Sequence, residues 1–101
     1  MEDYNYLEGI YIVMIIQISK LTDREIADKN VHSWPIWTCA ISEFDWEYDE
    51  RECCYLLDGE VEVSSDYETV AFGAGDFIVF PKSLKCRWKV TKPVRKHYSF
   101  G

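Results

Sequence analysis

Closely spaced turn signals constrain the fold of this chain more than any other feature. From Ser33 onward, runs rich in β-branched and aromatic residues are separated by turn-forming segments at residues 58–59, 64–66, 73–76, 80–83 and 91–93. Many short strands with glycine and proline corners predict a barrel or a sandwich. Since 101 residues have room for one hydrophobic core, the prediction is a single all-β domain.

Alternation along these strands predicts which side chains face inward. Apolar residues at positions 84, 86, 88 and 90 alternate with basic residues at 85, 87 and 89, as expected of a half-buried strand. The same rule places Glu52, Cys54 and Leu56 on one face of a strand. If Leu56 is inside, Glu52 is inside as well, where a carboxylate is costly unless it is paired, hydrogen-bonded or bound to a metal.

The N-terminal part follows a different pattern. Residues 10–18 are β-branched and aromatic, which favours a strand. Thr22 and Glu25 form a capping-box pattern, which predicts one short helix over residues 23–29. We therefore expect an N-terminal extension or strand over residues 1–17 and the folded domain over residues 18–101. Because residues 10–18 offer an apolar strand edge, we also expect a homodimer.

Charge and cysteine content exclude several classes of function. A net charge of -7 and a pI near 4.7 argue against a nucleic-acid partner. The apolar run at 10–16 is too short to span a membrane, and the acidic segment before it is unlike a signal peptide. The four cysteines lack C-x-x-C spacing, which argues against a disulfide framework or structural zinc site. These features predict a soluble, intracellular protein, with the cytoplasm as the expected compartment.

Two spaced motifs resemble those of the cupin superfamily, whose fold is a jelly-roll barrel also called a double-stranded β-helix. Glu52 and Gly59 match the end of the first motif, G-x5-H-x-H-x3,4-E-x6-G. Gly75 and Pro81 match the start of the second, G-x5-P-x-G-x2-H-x3-N. The resemblance covers about residues 18–100 and implies a single-domain cupin with one short N-terminal helix.

Four blocks are similar, within cupins, to the (S)-ureidoglycine aminohydrolase-type domain and to a small bacterial single-domain cupin of uncharacterised activity. These are WPIW at 34–37, EFDWEYDERECCYLLDGEVEV at 43–63, GDFIVFPKSLKCRWKV at 75–90 and PVRKHYSF at 93–100. This resemblance implies a metal-dependent hydrolase or isomerase. Some plant members of the subgroup are associated with plastid transcription assemblies, which implies a protein-interaction subunit as another alternative.

The metal-binding positions of the cupin motifs are mostly altered. The two first-motif histidine positions fall on Asp45 and Glu47 with the longer spacing, or on positions 46 and 48 with the shorter. The histidine position of the second motif is Cys86, and only Glu52 is unchanged. We therefore predict no metal cofactor. If a divalent metal does bind, the candidate ligands are Glu52, Cys86 and one of Asp45 or Glu47.

A metal-free barrel of this composition predicts an aromatic cavity that binds an unidentified polar or nitrogen-containing metabolite. Glu52 is the candidate general acid or base. Cys86 is a candidate nucleophile, with core packing as the favoured alternative. On the last strand, either Lys96 and Tyr98 or Arg95 and His97 face inward. The predicted ligand-binding residues are Trp34, Trp37, Trp46, Tyr48, Cys54 and Trp88.

Overall fold

The computed structural model describes residues 4–7 and 10–101, with side chains from Met14 onward. Two-stranded and seven-stranded antiparallel sheets contain its nine strands. The elements in chain order are β1 (Tyr4–Leu7), β2 (Ile10–Val13), β3 (Gln17–Lys20), α1 (Asp23–Asp28), a 3-10 turn (Val31–Ser33), β4 (Ile36–Cys39), β5 (Ser42–Glu47), β6 (Glu52–Ser65), β7 (Thr69–Gly73), β8 (Asp76–Phe80) and β9 (Lys85–Phe100). The predicted all-β jelly-roll barrel with one short N-terminal helix is confirmed for the described residues.

Two long strands organise the larger sheet. β6 and β9 pair along most of their length, and each also pairs with two shorter strands. β6 contacts β8 through its first half and β7 through its second, while β9 contacts β5 and then β4. The sheet order is β3-β8-β6-β9-β4, with β5 on β9 and β7 on β6. The faces of β6 and β9 that carry Glu52, Cys54, Leu56, Trp88 and Val90 are buried.

The capping box predicted at the helix is confirmed. Thr22 Oγ1 accepts a hydrogen bond from the Glu25 backbone N–H at 3.1 Å, and the Glu25 carboxylate accepts one from the Thr22 N–H at 3.0 Å. The two bonds satisfy orphan donors at the helix start. The helix ends at Asp28, one residue before the predicted end.

The predicted strand over residues 10–18 is divided between two strands. β2 pairs with β1 in the small sheet, and β3 pairs with β8 at the edge of the large one. Between them, Met14 and Ile16 are buried in the core, and Glu68 accepts a hydrogen bond from the Ile16 backbone N–H at 2.7 Å. The core therefore includes residues before position 18. The predicted extension over residues 1–17 lies partly outside the described residues.

Two of the predicted turns are wrong. Asp58-Gly59 lies within β6, and residues 91–93 lie within β9. The register between the strands shifts at this point, between Leu56 and Val61. Such β-bulges bend a strand and increase its twist without ending it. The glycine and proline signals therefore mark a bend in two paired strands, whereas chain reversals follow Ser65, Gly73 and Phe80.

Gly59 is required at this bend for two reasons. Its φ is +111°, a backbone conformation that L side chains rarely adopt. A Cβ atom here would lie 2.7 Å from the Pro93 carbonyl oxygen and 2.8 Å from the Val94 Cα. Gly75 has a φ of +87°, but the nearest neighbour of its Cβ would be the flexible end of Lys20, at 3.7 Å.

We predict that Gly59→Ala lowers the free energy of unfolding by more than Gly75→Ala. Both changes impose backbone strain of about 1–3 kcal/mol, and Gly59→Ala adds a backbone clash that no side-chain movement relieves. Urea unfolding of both variants and the parent protein measures the difference. Equal destabilisation by the two changes would contradict the role of the close approach between β6 and β9.

Candidate functional site

An open cavity of about 220 Å³ lies inside the barrel. Nine of the described residues line it, and two of these, Glu52 and Lys96, are charged. The other seven are aromatic and come from β4, β5, β9 and the segment after β5: Trp37, Phe44, Trp46, Tyr48, Trp88, Tyr98 and Phe100. A mostly apolar wall with a few convergent polar groups is typical of a small-molecule site.

The charged centre of the cavity is an ion pair between Glu52 and Lys96. Lys96 Nζ donates a hydrogen bond to Glu52 Oε2 at 2.8 Å, and the two side chains are only 6% and 5% exposed. The carboxylate is on β6 and the ammonium on β9, so the pair links the two long strands of the sheet. The predicted inward position of Glu52 is therefore confirmed, and its counter-charge is a lysine.

Two tryptophan rings surround the ammonium. Lys96 Nζ lies 4.8 Å from the centroid of the Trp37 ring and 4.9 Å from that of Trp88. A cation over an indole face is attracted by the quadrupole of the ring, and the attraction grows when the pair is desolvated. These contacts partly compensate for the water that the ammonium loses on burial.

Hydrogen bonding and stacking hold the cavity wall in place. Trp88 Nε1 donates to the Tyr48 hydroxyl at 3.1 Å. Tyr48 stacks on Phe80, with ring centroids 4.7 Å apart, and Phe44 stacks on Trp88 at 6.0 Å. Burial, followed by the negative charge of Glu52, raises the pKa of Tyr48 well above its ordinary value. Tyr48 is therefore a neutral hydroxyl at physiological pH.

The sequence left two spacings open for the first motif, and the residues given by the shorter spacing are the ones that line the cavity. Trp46 and Tyr48 lie on the cavity side, whereas Asp45 faces outward and accepts a hydrogen bond from Arg87 at 2.8 Å. Trp46 is half exposed at the mouth, while Tyr48 is fully buried. The two histidine positions of the first motif are thus occupied by aromatic side chains.

Cys86 and Cys54 are buried in the core, and neither is among the described residues that line the cavity. Burial and the charge of Asp45 raise the pKa of the Cys86 thiol to about 11. Burial likewise raises the pKa of Cys54 to about 12. Both side chains are therefore protonated at neutral pH, which favours core packing over the predicted nucleophilic role of Cys86. All four cysteines are free thiols.

Phe44 and Phe100 were missed as cavity residues, and Trp34 was predicted there but lies elsewhere. The centroid of the Trp34 ring is 6.5 Å from that of Phe77. The backbone oxygen of Trp34 is within hydrogen-bonding distance of His97 Nδ1, at 2.9 Å. Of the two inward pairs left open on β9, Lys96 and Tyr98 line the cavity. His97 is buried against the N-terminal segment, with its ring 5.5 Å from that of His32.

The residues present do not fit a cupin metal centre. Trp46 carries no metal-binding atom, the Tyr48 hydroxyl is held by Trp88, and Cys86 lies outside the cavity. An ammonium stands 2.8 Å from the one remaining carboxylate, where it would repel a divalent ion. No group of three or more potential ligands was found within the described residues, so Glu52, Cys86 and Asp45 or Glu47 do not form a ready-made site.

Comparison with known families confirms the resemblance to cupins and does not show the narrower resemblance to the (S)-ureidoglycine aminohydrolase-type domain. The family model for the EutQ-like cupin domain matches residues 26–98. The chain belongs to this cupin family. No curated protein gave a significant match.

Solved structures place the chain among EutQ-like and DUF861 cupins. A DUF861 family protein from Thermotoga maritima is 45% identical, with a TM-score of 0.85 over 86% of this chain and 100% of that chain. The EutQ protein of Clostridium difficile is 26% identical, with a TM-score of 0.60, and this cupin spans 64% of its own length and about half of that chain, 52%. A putative ethanolamine utilization protein Q from Salmonella typhimurium LT2 shares the fold. It is 22% identical, with a TM-score of 0.60 over 84% of this chain and 68% of that one.

We predict that Lys96→Met lowers the free energy of unfolding by roughly 3–5 kcal/mol, because it leaves the Glu52 carboxylate buried without a counter-charge. The double variant Glu52→Leu/Lys96→Met should recover most of this loss, since it removes both charges. Chemical denaturation of Lys96→Met, Glu52→Leu, the double variant and the parent gives the coupling energy.

The neighbouring residue provides a matched control. Arg95 pairs with Asp58 at 2.9 Å, but both side chains are at least half exposed. Arg95→Met should change stability little, because exposed ion pairs contribute little. Similar losses for Arg95→Met and Lys96→Met, or no coupling between positions 52 and 96, would contradict the proposed pairing.

Proposed function

We propose that this EutQ-like cupin binds a small polar or nitrogen-containing metabolite in the aromatic cavity, without a metal cofactor. The observation that carries the proposal is the Glu52–Lys96 pair, which lines an open cavity with aromatic walls. Buried ion pairs seldom stabilise a protein more than apolar residues of similar volume would. Hydrogen bonding to a ligand would account for a buried ion pair at the surface of this cavity.

The size of the cavity limits the ligand. Its volume of about 220 Å³ is below the ~300–1,000 Å³ typical of sites for drug-sized molecules. Trp46 and Phe100 are half exposed at the rim, where they can contact a bound molecule without a large rearrangement. A compact metabolite with one flat or apolar part suits these dimensions.

A hydrolase or isomerase resembling ureidoglycine aminohydrolase is the second candidate. In its favour, the Glu52 carboxylate is at the cavity surface, where a bound substrate can come within hydrogen-bonding reach of it, as general acid or base catalysis requires. Against the metal-dependent form, the donor set around Glu52 does not suit a divalent ion. The binding proposal requires neither a metal nor a reaction.

A protein-interaction subunit is the third candidate. Ile36, Ile41, Trp46 and Phe100 are exposed by 49–66% of their surface, and exposed apolar groups of this kind can form part of an interface. The acidic net charge still disfavours nucleic acid as the partner. Among the described residues, the helices are too short to cross a membrane. Four free thiols are consistent with a proposed cytoplasmic location.

We predict that Trp46→Ala weakens ligand binding roughly three- to tenfold, the loss expected for one aromatic contact. Trp34→Ala is the matched control, since this tryptophan lies outside the cavity lining. A panel of small amides, amines, amino acids and purines is screened with the parent protein. A compound that binds the folded state raises the melting temperature by mass action. The affinity of each hit is then measured by calorimetry for both variants.

The other outcomes separate the three candidates. Equal weakening by Trp34→Ala and Trp46→Ala would place binding outside the cavity. Stoichiometric zinc or manganese in protein purified without added metal, lost in a Glu52→Gln variant, would favour the metal-dependent enzyme. Absence of any stabilising metabolite, together with a stable co-purified protein, would favour the interaction subunit.

We also propose that the chain forms a homodimer. β1 and β2 form a sheet of their own, and a two-stranded sheet alone is marginally stable in water. β3 is exposed along its whole length at the edge of the large sheet, beside β8. A second copy that packs against β1 and β2 would cover an apolar segment and an open edge together.

Light scattering tests this arrangement. We predict about twice the chain mass of 11.9 kDa for the full chain, and the single-chain mass after deletion of residues 1–13. The deletion stops before Met14, where the described core begins, and circular dichroism checks that the barrel remains folded. A monomeric full chain would refute the dimer.

A further inference from the structure

The cavity balances its own charge. The Glu52 carboxylate and the Lys96 ammonium are paired at 2.8 Å, and the remaining residues of the described lining are aromatic. A ligand with a net charge of either sign would bring an uncompensated charge into a space whose other walls are aromatic. Such a charge loses far more hydration than it regains from neutral neighbours. Charge balance therefore disfavours both anions and cations and favours an uncharged ligand.

The ion pair still offers hydrogen bonds of both kinds. An ammonium has three N–H donors and a carboxylate has two acceptor oxygens, and the pair itself uses one N–H and Oε2 of Glu52. A donor and an acceptor thus lie side by side at the cavity surface. The complementary ligand group has a carbonyl acceptor next to an N–H donor, which is the arrangement in a primary carboxamide or a lactam.

The walls favour a flat molecule. Phe44 and Trp88 are nearly parallel, with an interplanar angle of 15°, and Trp37 meets Trp88 edge to face at 80°. Planar groups gain the most from stacked and edge-to-face contact with such rings. The cavity volume of about 220 Å³ allows about one ring with a short substituent.

We propose that the cavity takes an uncharged, planar carboxamide or lactam whose carbonyl accepts from Lys96 and whose N–H donates to Glu52. This inference rests on the proposed binding function, and it adds the chemical class of the ligand. It assigns a joint recognition role to two side chains, one of which, Lys96, has no counterpart among the ligand positions of the cupin motifs.

Three probes of nearly the same shape test the charge requirement: benzamide, benzoate and benzamidine. They share one ring and a planar three-atom head, and they are neutral, anionic and cationic. Each probe is titrated into the full-length protein, and binding is monitored through tryptophan fluorescence and NMR chemical shifts. The titrations give a dissociation constant for each probe. We expect benzamide to bind at least about tenfold more tightly than either charged probe.

If Glu52 and Lys96 recognise the head group of the ligand, variants that remove one of the two charges should change which probe binds most tightly. Glu52→Gln leaves the ammonium uncompensated, so benzoate should become the tightest of the three. Lys96→Met leaves the carboxylate uncompensated, so benzamidine should become the tightest. Asp58→Asn and Arg95→Met alter the exposed pair next to Lys96 on β9 and should leave the ranking unchanged. If a buried-charge variant fails to fold, the ranking for the parent protein still decides.

The results distinguish this inference from the function on which it rests. If the parent protein binds benzoate or benzamidine more tightly than benzamide, the proposed ligand class is wrong. The cavity would still be a binding site, so the proposed function would stand. The same applies if none of the three binds but an amine or an amino acid from the broader panel does, whereas binding of an amide from that panel would support the class. If neither the probes nor the panel bind, both the ligand class and the proposed function are wrong.

Discussion

A charged carboxylate inside a barrel of aromatic side chains needs a positive partner, and the rest of the site depends on how that need is met. Metal-binding cupins meet it with a divalent ion held by histidines and a glutamate. In this chain Glu52 is kept, and Lys96 supplies the positive charge from the adjacent strand at 2.8 Å. Because the ammonium belongs to the chain, the counter-charge of Glu52 is part of the folded protein itself.

This replacement explains the aromatic character of the cavity. Trp46 and Tyr48 occupy the positions of the two first-motif imidazoles and form part of the aromatic wall of the cavity. Trp37 and Trp88 place their ring faces toward Lys96, which eases the burial of its charge. Where a metal-binding cupin has ligands for a Lewis acid, the described cavity has a paired carboxylate and ammonium in a stacking environment. Its chemistry favours recognition by hydrogen bonds and shape.

Sequence reasoning was most accurate where local physics decides the structure. Alternation correctly placed Glu52 and Trp88 inside, because one face of each strand packs on the core and a register slip would expose it. The capping box correctly located the start of the helix, since its two hydrogen bonds are entirely local. The altered motif positions also led to an aromatic pocket, and Trp37, Trp46 and Tyr48 do line the cavity.

The central lysine was left as one of two alternatives on the last strand, and the reason lies in a misread bend. Residues 91–93 were interpreted as a turn, so the inward phase of positions 84–90 was not continued to Lys96. In the structure β9 runs through the bend, and even-numbered positions face inward again at Val94 and Lys96. Glycine and proline mark bulges as well as turns, and only the pairing of β6 with β9 distinguishes the two. The location of Trp34 depends equally on long-range packing, against Phe77.

The most direct test of this account is an NMR observation of the Lys96 ammonium in uniformly ¹⁵N-labelled protein. The account predicts one lysine N–H signal protected from exchange at neutral pH, shifted upfield by the two tryptophan rings and absent in Lys96→Met. Lysine ammonium groups in solvent exchange their protons too rapidly to give such a signal. A spectrum without it, or with a signal that persists in Lys96→Met, would contradict the claim that a buried lysine provides the positive charge of this cavity.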